Sequence, residues 1–111
     1  AVERPHATVV AVDASPDALA VARRNADRHG VAERIEFLEG NLFGPVEESA
    51  LFDFIVSNPP YVRTDEWESL DRDVRDYEPR SALDAGPDGL NVLKPLIAES
   101  YRHLRPCGWL M

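Results

Sequence analysis

Cysteine is nearly missing from this chain of 111 residues, which carries only Cys107. A single thiol cannot form a disulfide within the chain, and it excludes a cysteine-cluster metal site. The histidines at positions 6, 29 and 103 do not have the spacing of metal ligands either. We therefore expect no metal centre, and we interpret Cys107 as an incidental turn residue.

Long apolar runs and basic charge are also scarce. No apolar stretch approaches the roughly 20 residues of a membrane-spanning helix, and no signal peptide is recognisable. Twelve Lys and Arg against twenty Asp and Glu give a formal net charge of -8, which repels nucleic-acid phosphates. The apolar fraction of 44% still allows a core. This composition predicts one soluble, cytoplasmic domain that contacts neither a membrane nor, through this segment, nucleic acid.

What the sequence does contain is an alternation of strand-like and helix-like segments. Apolar runs predict buried strands in ATVVAVD (7–13), RIEFLEG (34–40) and FDFIVSNPPYV (52–62). A turn at RPCGW (105–109) leads into a fourth strand. Because helical segments separate the strands, the pattern is typical of an α/β fold with a parallel sheet of Rossmann type.

The first predicted helix has recognisable start and stop signals. Ser15 is a good N-cap, Pro16 suits the first helical position, and Gly30 suits the C-terminal cap. Its thin apolar stripe consists of Ala18, Leu19, Ala22 and Ala26.

A second amphipathic helix is predicted from apolar residues at helical spacing. The stripe consists of Leu90, Leu93, Ile97, Tyr101 and Leu104. Pro95 conflicts with this helix, since an interior proline costs on the order of 3 kcal/mol. Either the helix kinks at Pro95 or its regular part begins near Lys94. A short helix is also predicted at 65–70, within a strongly charged stretch.

Asp13 ends the first strand directly before a helix, at the edge where open α/β sheets bind ligands. Nucleotide-binding units use an acid at that place to accept hydrogen bonds from ribose hydroxyls. A solvated loop acid, or a helix cap that competes with Ser15, is an equally good interpretation. The glycine-rich phosphate turn of such units is not present, because no two of the six glycines form a G-x-G pair. If such a turn exists, it lies before Ala1.

The exit of the third strand, Asn58-Pro59-Pro60-Tyr61, is the most distinctive motif. The Asn58 side chain offers an acceptor and donors, and the proline-fixed backbone presents carbonyls that no local N–H contacts. Tyr61 adds a flat face. These groups suit a planar target with an NH₂ group, whose two hydrogens would be held by Asn58 and Pro59. The alternative is a Pro-Pro turn whose Asn caps a strand.

Together these motifs resemble one known family. VVAVDASPDALAVARRNADRHG (9–30), IVSNPPYV (55–62), YEPRSAL (77–83) and GPDGL (86–90) resemble the HemK-type N5-glutamine methyltransferases. That family modifies the glutamine of the Gly-Gly-Gln motif in peptide chain release factors. NPPY alone is shared with methyltransferases of adenine in nucleic acid and of ribosomal-protein glutamine. The resemblance implies S-adenosylmethionine as the methyl donor and a release factor as the protein partner.

The resemblance also implies roles for individual residues. Asp13 corresponds to the acid that binds the ribose of S-adenosylmethionine, and Leu42, in GNLF, corresponds to the residue that covers the adenine. Asn41 stands where family members often carry an acid, and it can still accept a hydrogen bond from the adenine amino group. Glu78 belongs to the family pattern, but its role does not follow from the residues. The substrate-amide clamp corresponds to Asn58, Pro59, Pro60 and Tyr61, with Asn58 also close to the methyl donor.

On this resemblance, residues 1–111 form part of a Rossmann-like class I methyltransferase domain that depends on S-adenosylmethionine. We expect the central part of the sheet, without the first strand that carries the glycine-rich turn and without the C-terminal strands. The remaining strands then form two pairs with a gap between them, so we expect the isolated segment neither to fold stably nor to catalyse.

Three alternatives stay open at this point. The chain could be part of an N6-adenine methyltransferase that acts on a flipped base in DNA or RNA. It could also belong to a ribosomal-protein glutamine methyltransferase. The third alternative, from a different class, is a non-catalytic Rossmann module that binds a nucleotide or a protein.

Overall fold

A computed structural model describes residues 1–60, 85–87 and 89–111 of the chain. These residues form two compact units, Ala1–Glu48 and Ser49–Met111. The short helix predicted at 65–70 lies outside the described residues. In chain order, the helices and strands are β1 (Val9–Asp13), α1 (Pro16–Arg28), β2 (Ile35–Glu39), β3 (Phe52–Ile55), α2 (Leu93–His103) and β4 (Leu104–Leu110).

The first unit is built on two parallel strands. β1 and β2 pair in register from Val9 opposite Ile35 to Asp13 opposite Glu39. Parallel neighbours need a crossover connection, which α1 supplies. Both strands therefore end at the same edge, and the side chain of Asp13 lies beside the loop that follows β2.

The ends of α1 follow the signals in the sequence. Ser15 is the N-cap, and its hydroxyl accepts a hydrogen bond from an N–H of the first turn. Past the other end, Gly30 adopts a φ of 65°, a left-handed conformation that glycine reaches without strain. The Gly30 N–H donates to the Asp27 carbonyl and the Val31 N–H to the Ala26 carbonyl, both at 3.0 Å. This pair of bonds is a Schellman motif, which satisfies carbonyls that the helix leaves unpaired.

The apolar stripe of α1 packs against both strands of its unit. Leu19 and Ala26 are buried, with 3% and 5% of their surface exposed, and Val31 is buried next to the helix end. Ala22 is half-buried and Ala18 is exposed. The predicted stripe is therefore confirmed at Leu19 and Ala26, and the prediction was wrong for Ala18. The small side chains of the stripe allow the helix to approach the sheet closely.

Arg34, in the short turn before β2, fixes the segment that leads into β1. Its guanidinium donates hydrogen bonds to the carbonyls of Arg4 at 3.0 Å, Ala7 at 3.1 Å and Ala1 at 3.1 Å. The planar guanidinium carries five N–H donors in a rigid fork, so one side chain can bind several carbonyls together. The path of the chain into β1 is set by this residue.

The second unit also contains a parallel pair, with an irregular register. Phe52 of β3 pairs with Leu104 of β4, whereas Phe54 pairs with Trp109. Residues 105–108 of β4 thus lie opposite a single residue of β3. The extra residues form a bulge, which bends β4 without ending it.

The residues of this bulge explain its shape. At Gly108, an added Cβ would lie 2.9 Å from the Arg105 carbonyl oxygen and 3.1 Å from the Asp53 carbonyl oxygen, so only glycine fits without a shift. Cys107 has a φ of 66°, in the left-handed region that favours glycine. The turn predicted at RPCGW, before the fourth strand, was wrong. β4 begins at Leu104 and runs through these residues, which form the bulge.

α2 begins at Leu93, which places Pro95 in its first turn. The first four N–H groups of a helix have no partner within the helix, so the N–H that proline lacks is not missed there. Of the two interpretations of Pro95, the later start of the helix is therefore confirmed.

The buried face of α2 is not the predicted apolar stripe. Ile97 and Tyr101 expose 53% and 86% of their surface, so the prediction was wrong for these two residues. The buried residues are Leu96, Ser100 and His103. Ser100 donates its hydroxyl hydrogen to the Leu96 carbonyl at 2.6 Å, and His103 Nδ1 lies 2.9 Å from the Ala50 carbonyl oxygen. Both polar side chains tolerate burial because they have partners.

The pairing of strands agrees with the sequence-based expectation, whereas the burial of β3 does not. The described residues contain the pairs β1 with β2 and β3 with β4, and no further pairing. Within that part of the chain, only Ile55 of β3 is buried. Phe54 and Val56, whose side chains point to the opposite face, expose 61% and 74% of their surface.

Replacing Cys107 with glycine is expected to raise the free energy of unfolding by about 1 kcal/mol, because a left-handed backbone costs an L-residue about that much. Urea denaturation of the full-length protein measures the change. Cys107→Ala is the matched control, since it removes the sulfur and keeps the strained Cβ. An equal gain in both variants would assign the effect to the thiol, and no gain in the glycine variant would contradict the backbone argument.

Candidate functional site

Asp13, at the end of β1, is held by the turn that leads into α1. Its Oδ1 accepts a hydrogen bond from the Ser15 N–H at 2.8 Å. Ser15 in turn caps the helix, since its Oγ accepts from the Ala18 N–H at 3.2 Å. The two residues therefore do not compete for the cap. Asp13 remains exposed, and no hydrogen bond to its Oδ2 occurs among the described residues.

Glu39 lies opposite Asp13 in the register of the two strands. Both side chains are exposed, and paired residues of neighbouring strands project to the same face. Two carboxylates at one strand edge produce a local negative potential, which attracts a ligand with positive charge. The sequence pattern alone did not identify Glu39, because its position beside Asp13 depends on the register.

The loop after β2 starts with a hydrogen bond back to β1. The Gly40 N–H donates to the Asp13 carbonyl at 3.0 Å, one step beyond the last pair of the ladder. Two turns follow, in which the Gly44 N–H donates to the Asn41 carbonyl and the Val46 N–H to the Phe43 carbonyl, both at 2.9 Å. The loop thus leaves the sheet directly beside Asp13.

Leu42 occupies a strained position in this loop. Its φ of 48° lies in the left-handed region, which costs a leucine roughly 1–2 kcal/mol. Its side chain is half-buried, whereas its neighbour Asn41 is exposed. Strained residues of this kind concentrate at binding sites, where the fold holds a side chain in a required direction. The strain could not be read from the sequence, because leucine has no preference for a positive φ.

Asn58 and the two prolines follow β3, in the second unit. The Ser57 N–H donates to the Met111 carbonyl at 2.9 Å, so the pairing with β4 extends to the residue before the motif. Asn58 is exposed, and Pro59 and Pro60 are half-buried. Tyr61 and Glu78 lie outside the described residues, and their roles stay predictions.

The structure places the predicted site residues in two groups. In the first unit it brings together Asp13, Asn41 and Leu42 through the bond between Gly40 and the Asp13 carbonyl. The described part of the amide clamp belongs to the second unit. Each group lies where a strand of its own parallel pair ends, as expected for a ligand-binding edge.

The described residues contain neither a metal-binding cluster nor a membrane-spanning helix. In residues 1–60, 85–87 and 89–111, no group of three or more His, Cys, Asp or Glu side chains could hold a metal ion. Across the same residues, neither helix has the length and apolar character required to cross a membrane.

Comparison with known proteins agrees with the motifs. A model of the methyltransferase small domain family matches residues 1–72. This match covers the whole first unit and, in the second unit, β3 and the NPPY motif.

Curated relatives match nearly the whole chain. A release factor glutamine methyltransferase of Geobacter sulfurreducens is 50% identical over 107 residues, which are 96% of this chain and 37% of that protein. One of Gloeobacter violaceus is 49% identical over 106 residues, with the same coverage of 96% and 37%. A ribosomal protein uL3 glutamine methyltransferase of Bradyrhizobium diazoefficiens is 42% identical over 107 residues, 96% of this chain and 33% of that protein.

The chain spans little more than a third of the length of these relatives. The resemblance to glutamine methyltransferases that the motifs indicated is confirmed by these matches.

Replacing Asp13 with alanine is expected to lower the free energy of unfolding by about 0.5–1 kcal/mol, because the Ser15 N–H loses its acceptor. Asp13→Asn should leave stability nearly unchanged, since the amide oxygen can accept the same bond. Thermal and urea denaturation of both variants of the full-length protein provide the test. Equal losses in the two variants would show that the charge, and not the hydrogen bond, stabilises this turn.

Proposed function

This chain belongs to the methyltransferase small domain family, and on that basis we propose that it forms the central part of a protein glutamine methyltransferase. The enzyme transfers a methyl group from S-adenosylmethionine to the side-chain amide nitrogen of a glutamine. The observation that carries this proposal is the 50% identity with a release factor glutamine methyltransferase over 107 of the 111 residues. A match of that extent spans both Asp13 and the NPPY motif.

The residues of the first unit fit the methyl donor. S-adenosylmethionine supplies an electrophilic methyl group on a positively charged sulfur, attached to a ribose and an adenine. The Ser15 N–H fixes one oxygen of Asp13, which leaves Oδ2 to accept a hydrogen bond from a ribose hydroxyl. The left-handed backbone of Leu42 holds its side chain to cover the adenine. The exposed amide of Asn41 accepts from the adenine amino group.

The NPPY motif holds the glutamine that receives the methyl group. The side-chain oxygen of Asn58 and the carbonyl of Pro59 accept the two hydrogens of the substrate amide. Because Pro60 follows it, Pro59 is biased toward an extended backbone, in which its carbonyl is not paired within a helical turn and stays available as an acceptor. The ring of Tyr61 packs over the plane of the amide.

This arrangement also explains why a poor nucleophile can react. The lone pair of an amide nitrogen is delocalised into its carbonyl, which weakens attack. Acceptors at Asn58 and Pro59 orient the nitrogen and stabilise the positive charge that develops on it. With the methyl donor bound, the nitrogen would form its bond to the methyl carbon as the carbon–sulfur bond breaks, which releases S-adenosylhomocysteine, and the amide proton would pass to solvent water as or after the new bond forms. No strong general base is required for the attack.

The substrate we propose is the Gly-Gly-Gln glutamine of a peptide chain release factor. Two of the relatives named above are release factor glutamine methyltransferases, and they are 50% and 49% identical to this chain. Release factors act in the cytoplasm, where we place the enzyme. A ribosomal-protein glutamine is the second candidate, because the uL3 methyltransferase matches the same share of the chain at 42% identity.

Asn58→Ala is expected to lower methyl transfer to a release factor about 100-fold or more, because it removes a hydrogen-bond acceptor that acts in the transition state. The full-length protein is incubated with radiolabelled S-adenosylmethionine and a purified release factor. A second release factor carries alanine in place of the Gly-Gly-Gln glutamine. Asn25→Ala, on the exposed surface of α1, is the matched control and should retain activity.

Each result of this experiment has a distinct meaning. Labelling that requires the glutamine and disappears with Asn58→Ala supports the proposal. Labelling of a ribosomal protein, or of DNA or RNA, each supplied in a parallel reaction in place of the release factor, would replace the proposed substrate. Absence of transfer to any of them would favour a non-catalytic binding module.

Asp13→Asn is expected to weaken binding of S-adenosylhomocysteine by roughly 10- to 100-fold, since a hydrogen bond to a charged acceptor contributes about 1.5–3 kcal/mol. Titration calorimetry on the full-length protein measures this affinity. Asp17→Asn, in the first turn of α1, changes the same charge nearby and should have a small effect. Similar losses in both variants would contradict a direct role of Asp13.

A further inference from the structure

A proline ring lies against the glycine at which the chain leaves β2. If Gly40 carried a Cβ, that atom would lie 2.7 Å from Cδ, 2.8 Å from Cγ and 3.2 Å from Cβ of Pro45. Carbon atoms pack at about 3.5–4.0 Å, so the two shortest distances are repulsive. The ring is closed onto its own backbone, and it cannot rotate away as a flexible side chain can. Gly40 and Pro45 are therefore matched to each other.

Gly40 is tied to β1 as well as to its own loop. Its N–H donates to the carbonyl of Asp13 at 3.0 Å. That carbonyl belongs to the residue whose carboxylate we assign to the ribose. A displacement of Gly40 therefore changes the position of the loop relative to Asp13 in one of two ways. Either the hydrogen bond from the Gly40 N–H to the Asp13 carbonyl is lost, or the ring of Pro45 shifts and moves the loop with it.

The residues between Gly40 and Pro45 have little freedom to compensate. The Gly44 N–H is bonded to the Asn41 carbonyl at 2.9 Å, and the backbone of Leu42 is already left-handed. A short loop that is closed at both ends and hydrogen-bonded inside moves as one piece. Its direction is set at its two closing residues, Gly40 and Pro45.

We propose that Gly40 and Pro45 form a positioning pair that sets the separation between Asp13 and Leu42, and thereby matches the site to the ribose and adenine of S-adenosylmethionine. This inference rests on the proposed function, because it takes Asp13 and Leu42 as the ribose and adenine residues. Neither member of the pair has to contact the ligand. Binding groups must be held within about 0.5 Å of their productive geometry. A Cβ at Gly40 would require a larger displacement, because it would lie 2.7 Å from Cδ of Pro45, whereas carbon atoms pack at about 3.5–4.0 Å.

The test uses Gly40→Ala in the full-length protein, with titration calorimetry of S-adenosylhomocysteine and steady-state kinetics of methyl transfer. We expect the affinity to fall about tenfold and the KM for S-adenosylmethionine to rise by a similar factor. At saturating S-adenosylmethionine, kcat should change less than about twofold, because the amide clamp is unaffected.

Gly30→Ala is the matched control. Gly40 and Gly30 have positive φ values of 159° and 65°, so alanine strains the backbone at both, but at Gly30 an added Cβ would meet nothing within 4 Å. This variant should lower thermal stability without changing the affinity. An equal loss of affinity in both glycine variants would reduce the effect to general destabilisation and overturn the proposal, as would an unchanged affinity in Gly40→Ala.

Pro45→Ala completes the cycle. In the double variant with Gly40→Ala, the ring atoms nearest to the added Cβ are gone, so we expect the affinity to recover at least about threefold over Gly40→Ala. Failure to recover would contradict a steric origin.

If Gly40→Ala does not fold, Pro45→Ala alone should weaken binding about threefold by loosening the loop, and unchanged binding would overturn the proposal. If the unaltered protein does not bind S-adenosylhomocysteine, the proposed function itself fails, which is seen before any substitution is made.

Discussion

The hydrogen bond from the Gly40 N–H to the Asp13 carbonyl is the contact on which the candidate ligand site depends. It extends the parallel pairing of β1 and β2 beyond the last residue pair, so that the loop after β2 departs beside the end of β1. Two side chains far apart in sequence, Asp13 and Leu42, are placed at one edge by this bond. Without it, the loop that carries Leu42 would have more conformational freedom relative to Asp13 at the end of β1.

Two residues other than glycine adopt a left-handed backbone among the described residues, and their surroundings differ. Leu42 is half-buried in the loop that we assign to the adenine, where the direction of the side chain matters for binding. Cys107 is exposed in the bulge of β4, away from the NPPY motif in sequence and with no proposed contact to ligand or substrate. On the proposed function, the strain at Leu42 serves ligand binding, whereas at Cys107 it acts only on stability.

The two halves of the proposed chemistry use different physical means. The donor site relies on a fixed carboxylate and a loop whose shape is set by a glycine and a proline. The proposed amide clamp relies on the extended backbone that two successive prolines favour, in which carbonyls stay available as acceptors. An enzyme that acts on an amide needs the second arrangement, because orientation and charge stabilisation replace a strong base.

The sequence by itself determined the order of strands and helices in the described part of the chain, the caps of α1 and the positions of Asp13 and Asn58 at strand ends, and the family resemblance implied the two strand pairs. These features depend on local preferences, such as those of Ser15 and Gly30, and on motifs in adjacent residues. Only the tertiary structure decided the buried face of α2, the bulge in β4, the strain at Leu42 and the contact between Gly40 and Pro45. Each of these depends on which neighbours a group meets: Ser100 and His103 tolerate burial because they have hydrogen-bond partners, whereas Tyr101 is exposed.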